Sequence, residues 1–159
     1  MNIIVLTKDI IDSKIIVKYL LDKGHPITAI IYEPKRNSLK YKIKALFLKD
    51  VPKTFEEYQN SPSPIPVWKT NNINDEEELI KSQDPDLIIV IGTRKLTKNI
   101  FSIATCINLH SSILPFYRGG DSEAGALRDR NFDKIGVTIH GVDVGLDTGP
   151  MFKQRRQTV

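Results

Sequence analysis

Cysteine is almost absent from this 159-residue chain, with Cys106 as its single instance. That excludes an internal disulfide framework and points to a reducing, cytoplasmic setting. Long hydrophobic runs are missing too: no apolar stretch approaches the roughly 20 residues a membrane helix requires. The opening Met1-Asn2-Ile3-Ile4-Val5-Leu6-Thr7-Lys8-Asp9 is too short and too soon charged to read as a signal peptide, so no membrane association is expected. Glycine is lacking where a nucleotide enzyme needs it. The segment Leu6-Thr7-Lys8-Asp9-Ile10, after a first apolar run, contains none. Neither a dinucleotide fingerprint nor a phosphate-cradling loop is present there, because a Cβ would keep the backbone away from a pyrophosphate. With 40% hydrophobic residues the chain is too apolar for intrinsic disorder. One compact core over residues 1–159 is the expectation.

The net charge of +4 is unevenly spread. Lys35, Arg36, Lys40, Lys42, Lys44, Lys49 and Lys53 face a single acid, Asp50, in one stretch, and the rest of the chain holds 16 basic against 18 acidic residues. Such a patch suits an anionic ligand or nucleic acid. A solvated helix face is the plainer reading, because Leu39, Ile43, Leu46 and Phe47 recur at helical spacing.

Residues 2–7, 26–32 and 86–91 are short apolar runs rich in β-branched residues, read as buried strands. Residues 65–68, 106–109 and 135–140 read as further strands. Between the first two runs, Ile11, Ile15, Ile16, Tyr19 and Leu20 form a helical stripe that Gly24 ends. The basic segment after Pro34 is expected to be helical, and Ser61-Pro62-Ser63-Pro64 marks a loop. Asn74 before Asp75-Glu76-Glu77-Glu78 predicts a capped helix start, with Pro85 closing that helix. Apolar strands alternating with amphipathic segments indicate an α/β, Rossmann-like fold: a mostly parallel sheet with helices on both faces.

In such sheets ligands gather beyond the carboxyl ends of strands. Asn108 and His110, two apart on a strand, share one face. A second loop, His140-Gly141-Val142-Asp143-Val144-Gly145-Leu146-Asp147-Thr148-Gly149-Pro150, carries two carboxylates after an apolar strand. If both strands are central, an amide, an imidazole and a carboxylate converge above the sheet. A zinc site from Cys106, His110 and His140 is conceivable by residue type, but the spacing offers no paired-ligand motif, and no metal is expected. His25, between Gly24 and Pro26, reads as a loop residue, and Trp68 and Phe47 as packing.

Taken together, Asn108-Leu109-His110, Ile113-Leu114-Pro115, Gly136-Val137-Thr138-Ile139-His140 and Leu146-Asp147-Thr148-Gly149 resemble the folate-dependent formyltransferase family. That family includes glycinamide ribonucleotide, methionyl-tRNA and amino-sugar N-formyltransferases. Pro85-Asp86-Leu87-Ile88-Ile89-Val90 looks like the family strand before the folate loop, and the likeness extends loosely to Met1. The resemblance implies formyl transfer from 10-formyltetrahydrofolate to an amine, with Asn108, His110 and Asp147 as the catalytic trio. An amine attacking the formyl carbon creates an oxyanion that the Asn108 amide and a protonated His110 stabilise. Asp147 orients His110 and favours its charged form. By resemblance, the folate lies against backbone of two loops: Ile91, Gly92, Thr93, Arg94, Lys95 and Leu96, and Val142, Asp143, Val144 and Gly145. The basic side chains of the first loop are alternatively placed to meet the glutamate tail of the folate.

For the acceptor, Tyr117-Arg118-Gly119 resembles the tRNA and amino-sugar branches rather than the purine branch. Arg118, Tyr117 and His140 are the expected acceptor-side residues, Arg118 because an Arg beside a glycine pair suits an anionic group. The tRNA branch normally adds a C-terminal barrel, so a small amine is expected, foremost a nucleotide-linked amino sugar, with methionyl-tRNA second. Family domains also continue past the Asp-Thr-Gly turn with a strand and a helix, which this chain is expected to lack. The apolar surface so exposed suggests a homodimer. Hydrolysis of the formyl donor, and binding without turnover, are the alternatives of other kinds.

Overall fold

The first apolar run forms strand β1 (Ile3–Lys8), and the sheet grows outward from it on both sides. A computed structural model describes residues 1–34, 54–60 and 64–157. The basic segment expected to be helical, and most of the Ser61–Pro64 loop, lie outside the described residues. The further strands are β2 (Ile27–Glu33), β3 (Val67–Lys69), β4 (Leu87–Ile91), β5 (Thr105–His110), β6 (Gly136–Gly141) and β7 (Met151–Arg156). They make one sheet in the order β3-β2-β1-β4-β5-β6-β7. The first five in that order are parallel, while β6 and β7 run antiparallel to their neighbours.

Strand alternation divides the core into two layers. Ile3 and Val5 of β1 join Ile30 and Tyr32 of β2 beneath helix α1 (Ile11–Asp22) and the 3-10 turn Phe55–Asn60. Ile4 and Leu6 pair in register with Ile88 and Val90 of β4 on the opposite face. There they pack with Ile80 of helix α2 (Glu77–Ser82) and Ile100 of helix α3 (Lys98–Phe101). Ile4, Val5 and Leu6 are wholly buried, each contributing roughly 1.5–3 kcal/mol of hydrophobic burial. Helices therefore cover both faces, as the apolar strand pattern requires. Among the described residues no helix is long and apolar enough to cross a membrane.

Two local readings are corrected. The buried residues of α1 are Ile11, Ser13, Lys14 and Val17, backed by half-buried Ile16 and Leu20, while Ile15 and Tyr19 are exposed. The stripe is rotated because Lys14 is drawn inward, its ammonium 2.6 Å from Asp9 Oδ1. The helix does stop at Gly24, where φ is 76°. Gly24 N–H donates to Leu21 O and His25 N–H to Leu20 O, the paired bonds of a Schellman motif. Asn74 is not the expected cap. Asn72 caps the 3-10 turn Ile73–Asp75 by accepting from Asn74 N–H, and α2 starts only at Glu77 without a side-chain cap.

A strand does follow the Asp-Thr-Gly turn, against expectation. β7 pairs with β6 from Gly136–Arg156 to His140–Met151, and every β7 residue is exposed. Because β1 sends the chain to β2 on one side and joins β4 on the other, a crevice opens beyond their carboxyl ends.

Candidate active site

The antiparallel pairing of β5 with β6 sets Asn108 directly opposite His140, and His110 opposite Thr138. Alternation along β5 keeps Asn108 and His110 on one face. The segment after β6 then returns over that face. Gly141 N–H donates to Pro150 O, closing the loop at its base, and a Cβ on Gly149 would stand 2.0 Å from Gly141 O. This closure brings Asp147 down onto the two strands.

Asp147 is the hub. Its Oδ1 lies 3.3 Å from Asn108 Nδ2 and 3.4 Å from His140 Nε2, and its Oδ2 lies 3.5 Å from His110 Nδ1. The same Oδ2 accepts from Gly119 N–H at 2.7 Å. Its side chain is only 10% exposed, in keeping with a buried carboxylate that has donors on both oxygens. The backbone there takes φ 52°, a left-handed conformation that Asp tolerates better than most residues.

Hydrogen-bond accounting fixes the other groups. His140 Nδ1 is 2.7 Å from Gly141 O, and a carbonyl only accepts, so Nδ1 carries the proton. His140 Nε2 then accepts from Asn108 Nδ2 at 3.1 Å. Asp147 requires the same orientation of the Asn108 amide, since its carboxylate would repel the amide oxygen. Both N–H groups of Asn108 are thus engaged. His110 Nε2 donates to Tyr117 O at 2.8 Å, a carbonyl that also accepts from Ser112 Oγ. With Nδ1 turned to Asp147, the ring has an acceptor at both nitrogens.

These groups floor a cleft of ≈ 720 Å³. Of the expected residues, Gly92, Thr93, Arg94, Lys95, Leu96, Asn108, His110, His140, Val142, Asp143, Gly145 and Asp147 line it. Ile91 instead lies in the core, and Val144 is 68% exposed outside the lining. The side chain of Tyr117 points away: its hydroxyl donates to Asp129 Oδ2 and accepts from Asn131 Nδ2, so only its carbonyl serves the site. Arg118 is exposed and outside the lining. Arg94, expected to be free for an anionic tail, is bound to Glu33.

The sequence reading missed Lys8, Ile10, Glu33 and the turn Gly119-Gly120-Asp121, all of which line the cleft. Their signal lay in position alone, since they end β1 and β2 or follow the β5 loop. Asp143 accepts from Thr148 Oγ1 and Gly145 N–H, and the Thr148 bond holds its carboxyl below the usual range. Burial pushes the Cys106 thiol up to about 12, away from the thiolate a nucleophile needs.

The family described as Formyl transferase matches residues 1–159. A methionyl-tRNA formyltransferase of Sulfurovum sp. is 44% identical over 93 residues, which are 57% of this chain and 30% of that protein. The chain therefore spans about a third of that relative's length. A phosphoribosylglycinamide formyltransferase structure from Bacillus halodurans superposes with a TM-score of 0.73 at 20% identity, covering 99% of this chain and 80% of that one. A sugar N-formyltransferase structure from Shewanella sp. gives 0.64 at 15% identity, covering 100% and 58%. At those identities the two structures attest the shared fold.

Proposed function

The chain belongs to the formyl transferase family, and from that premise we propose that it moves a formyl group from 10-formyltetrahydrofolate to an amine. The observation that carries this is the convergence of Asn108, His110 and Asp147 on one cleft floor. The cleft suits the donor by its donor set. Two loops line it, through residues 92–96 and through Val142, Asp143, Gly145 and Leu146, and they bring the apolar residues Leu96, Val142 and Leu146 beside polar ones. The volume is within the range of drug-sized ligand sites.

The donor supplies an activated formyl carbon. As the amine nitrogen bonds to it, the bond from that carbon to the folate nitrogen breaks, the amine loses a proton and the folate nitrogen gains one. His110, held by Tyr117 O and Asp147, is the group placed to hold or pass that proton near neutral pH. Asn108 stabilises charge on the formyl oxygen with an amide N–H. Since both are engaged at rest, one must be released. The bond to Asp147 is assisted by the carboxylate charge, so the bond to the His140 ring is the one to yield.

For the acceptor, we infer methionyl-tRNA ahead of the amino sugar expected from the short chain. The 44% identity to a methionyl-tRNA formyltransferase supports it, while sugar enzymes are met at the level of fold. Tyr117 and Arg118, whose likeness was to the tRNA and amino-sugar branches alike, have side chains outside the cleft and do not choose between the two. The test follows tetrahydrofolate release with methionyl-tRNA, with a nucleotide-linked amino sugar, and with no acceptor. Release that requires methionyl-tRNA and falls on the order of 10²-fold in His110→Ala is expected. Equal release without acceptor would mean a hydrolase, and no release under any condition would overturn formyl transfer.

A further inference from the structure

We propose that Glu33 and Arg94 form a clamp that fixes the shape of the donor-binding loop, making both of them positioning residues for the formyl donor. This rests on the reading of residues 92–96 as the donor loop. Glu33 ends β2, and Arg94 follows β4, so the pair spans the mouth of the crevice and both residues line the cleft.

The geometry is that of a built joint. Arg94 Nε donates to Glu33 Oε1 at 2.6 Å and Nη2 to Oε2 at 3.1 Å, a bidentate fork. The same Nη2 donates to Asn71 O at 3.1 Å. Glu33 Oε1 also accepts from Ile73 N–H at 3.0 Å, and its side chain is only 4% exposed. One carboxylate thus joins the end of β2, the 71–73 segment and the loop after β4. The Arg94 side chain is 43% exposed, so screened Coulomb attraction is a small part of the joint. Its directionality comes from the planar fork, which a lysine cannot reproduce.

The rest of the loop is pinned in a consistent way. Gly92 sits at φ 63°, and a Cβ there would reach Ile10 Cδ1 at 3.0 Å. At the far end Asn74 Nδ2 donates to Lys95 O at 3.1 Å, and Thr97 N–H donates to Asn74 Oδ1 at 2.9 Å. Arg94 lies between these fixed ends, where the loop carries no secondary structure of its own. A loop held in its binding shape avoids the ordering cost that association otherwise incurs. The clamp consequently acts on donor binding and leaves the groups on β5 and β6 untouched.

The test uses Arg94→Met, Arg94→Lys and Glu33→Gln, with kcat and both KM values measured alongside hydrogen exchange of the 92–97 amides in the donor-free protein. Arg94→Met is expected to raise the KM for 10-formyltetrahydrofolate about tenfold, the loss of a charge-assisted hydrogen bond. Acceptor KM and kcat stay within about threefold, and loop amides exchange faster by about the same tenfold factor. Arg94→Lys, with the charge but not the fork, recovers little. Glu33→Gln keeps the acceptor for Ile73 N–H and shows the same direction should Arg94→Met, with its uncompensated buried carboxylate, fail to fold. Unchanged donor KM with unchanged loop exchange overturns the clamp, as does a fall in kcat at constant donor KM. If the parent chain transfers no formyl group, the proposed function fails, while the exchange data still decide whether the clamp orders the loop.

Discussion

At Asp147 a left-handed backbone and four neighbouring nitrogens meet in one residue, so substitutions there separate backbone from chemistry. Asn occupies the left-handed region as readily as Asp, so Asp147→Asn should keep the backbone conformation, while the lost pairing costs about 1–3 kcal/mol of stability. Its amide cannot accept on both sides, so either Gly119 N–H or the Asn108 amide meets another donor. Tetrahydrofolate release should fall on the order of 10²-fold, and wild-type turnover in this variant would remove Asp147 from the mechanism. Asp143 carries the site's pH signature. Its folded carboxyl is held down by Thr148 Oγ1, with Gly145 N–H assisting. The ionised form favours the folded loop, so this support is complete above the ordinary Asp value of about 3.9 and fades as pH falls through the lowered folded value. Thr148→Val should move the Asp143 titration, followed by NMR of its side-chain carboxyl, upward toward that ordinary value. Sequence revealed Asn108 and His110 because two-residue spacing on a strand is a local fact. The Glu33–Arg94 joint was invisible, since it links residues 61 positions apart through the crossing of two strand ends.

Among the elements, the β5–β6 pair carries the site, because its register sets Asn108 against His140. β6 has a second partner in β7, and Gly136 permits that pairing: a Cβ there would stand 2.3 Å from Arg155 O. Gly136→Ala should part the contacts at the end of β7 without touching the trio. Faster amide exchange at Arg155 and Arg156 is expected, with donor KM unchanged, and a lost trio activity would show that β7 supports β6 more deeply. At Gly24 a Cβ would meet nothing within 4 Å, so Gly24→Ala tests conformation alone. The φ of 76° predicts a loss of about 1 kcal/mol in urea unfolding. Central strands such as β1 and β4 were readable from their apolar runs because both faces are buried. β7, Met-Phe-Lys-Gln-Arg-Arg, lies at the sheet edge with no buried position, and so left no hydrophobic pattern to read. The α1 stripe misled because the side chain of Lys14 is turned into the protein beside Asp9, which rotates Tyr19 outward.

At the scale of the whole molecule, acceptor choice turns on charge. A small amine needs only the cleft, whereas tRNA brings a run of phosphates that must be met by cations outside it. Within the cleft Arg94 is already committed to Glu33, leaving Lys8 and Lys95 as its other lysine or arginine side chains among the described residues. The largest local excess of positive charge is the sequence from Lys35 to Lys53, seven basic residues against Asp50 alone. If that segment contacts the acceptor, the logarithm of tRNA affinity should fall linearly with the logarithm of salt concentration. Each neutralised phosphate contributes about −0.9 to the slope on duplex RNA, by analogy with DNA. Changing Lys40, Lys42 and Lys44 together to Gln should flatten the slope by about two to three, with the KM for 10-formyltetrahydrofolate unchanged. An unaltered slope in that variant would move the tRNA contacts elsewhere. A parent chain whose tRNA binding ignores salt would return the acceptor to a small amine, for which the cleft at the ends of β1, β4 and β5 suffices.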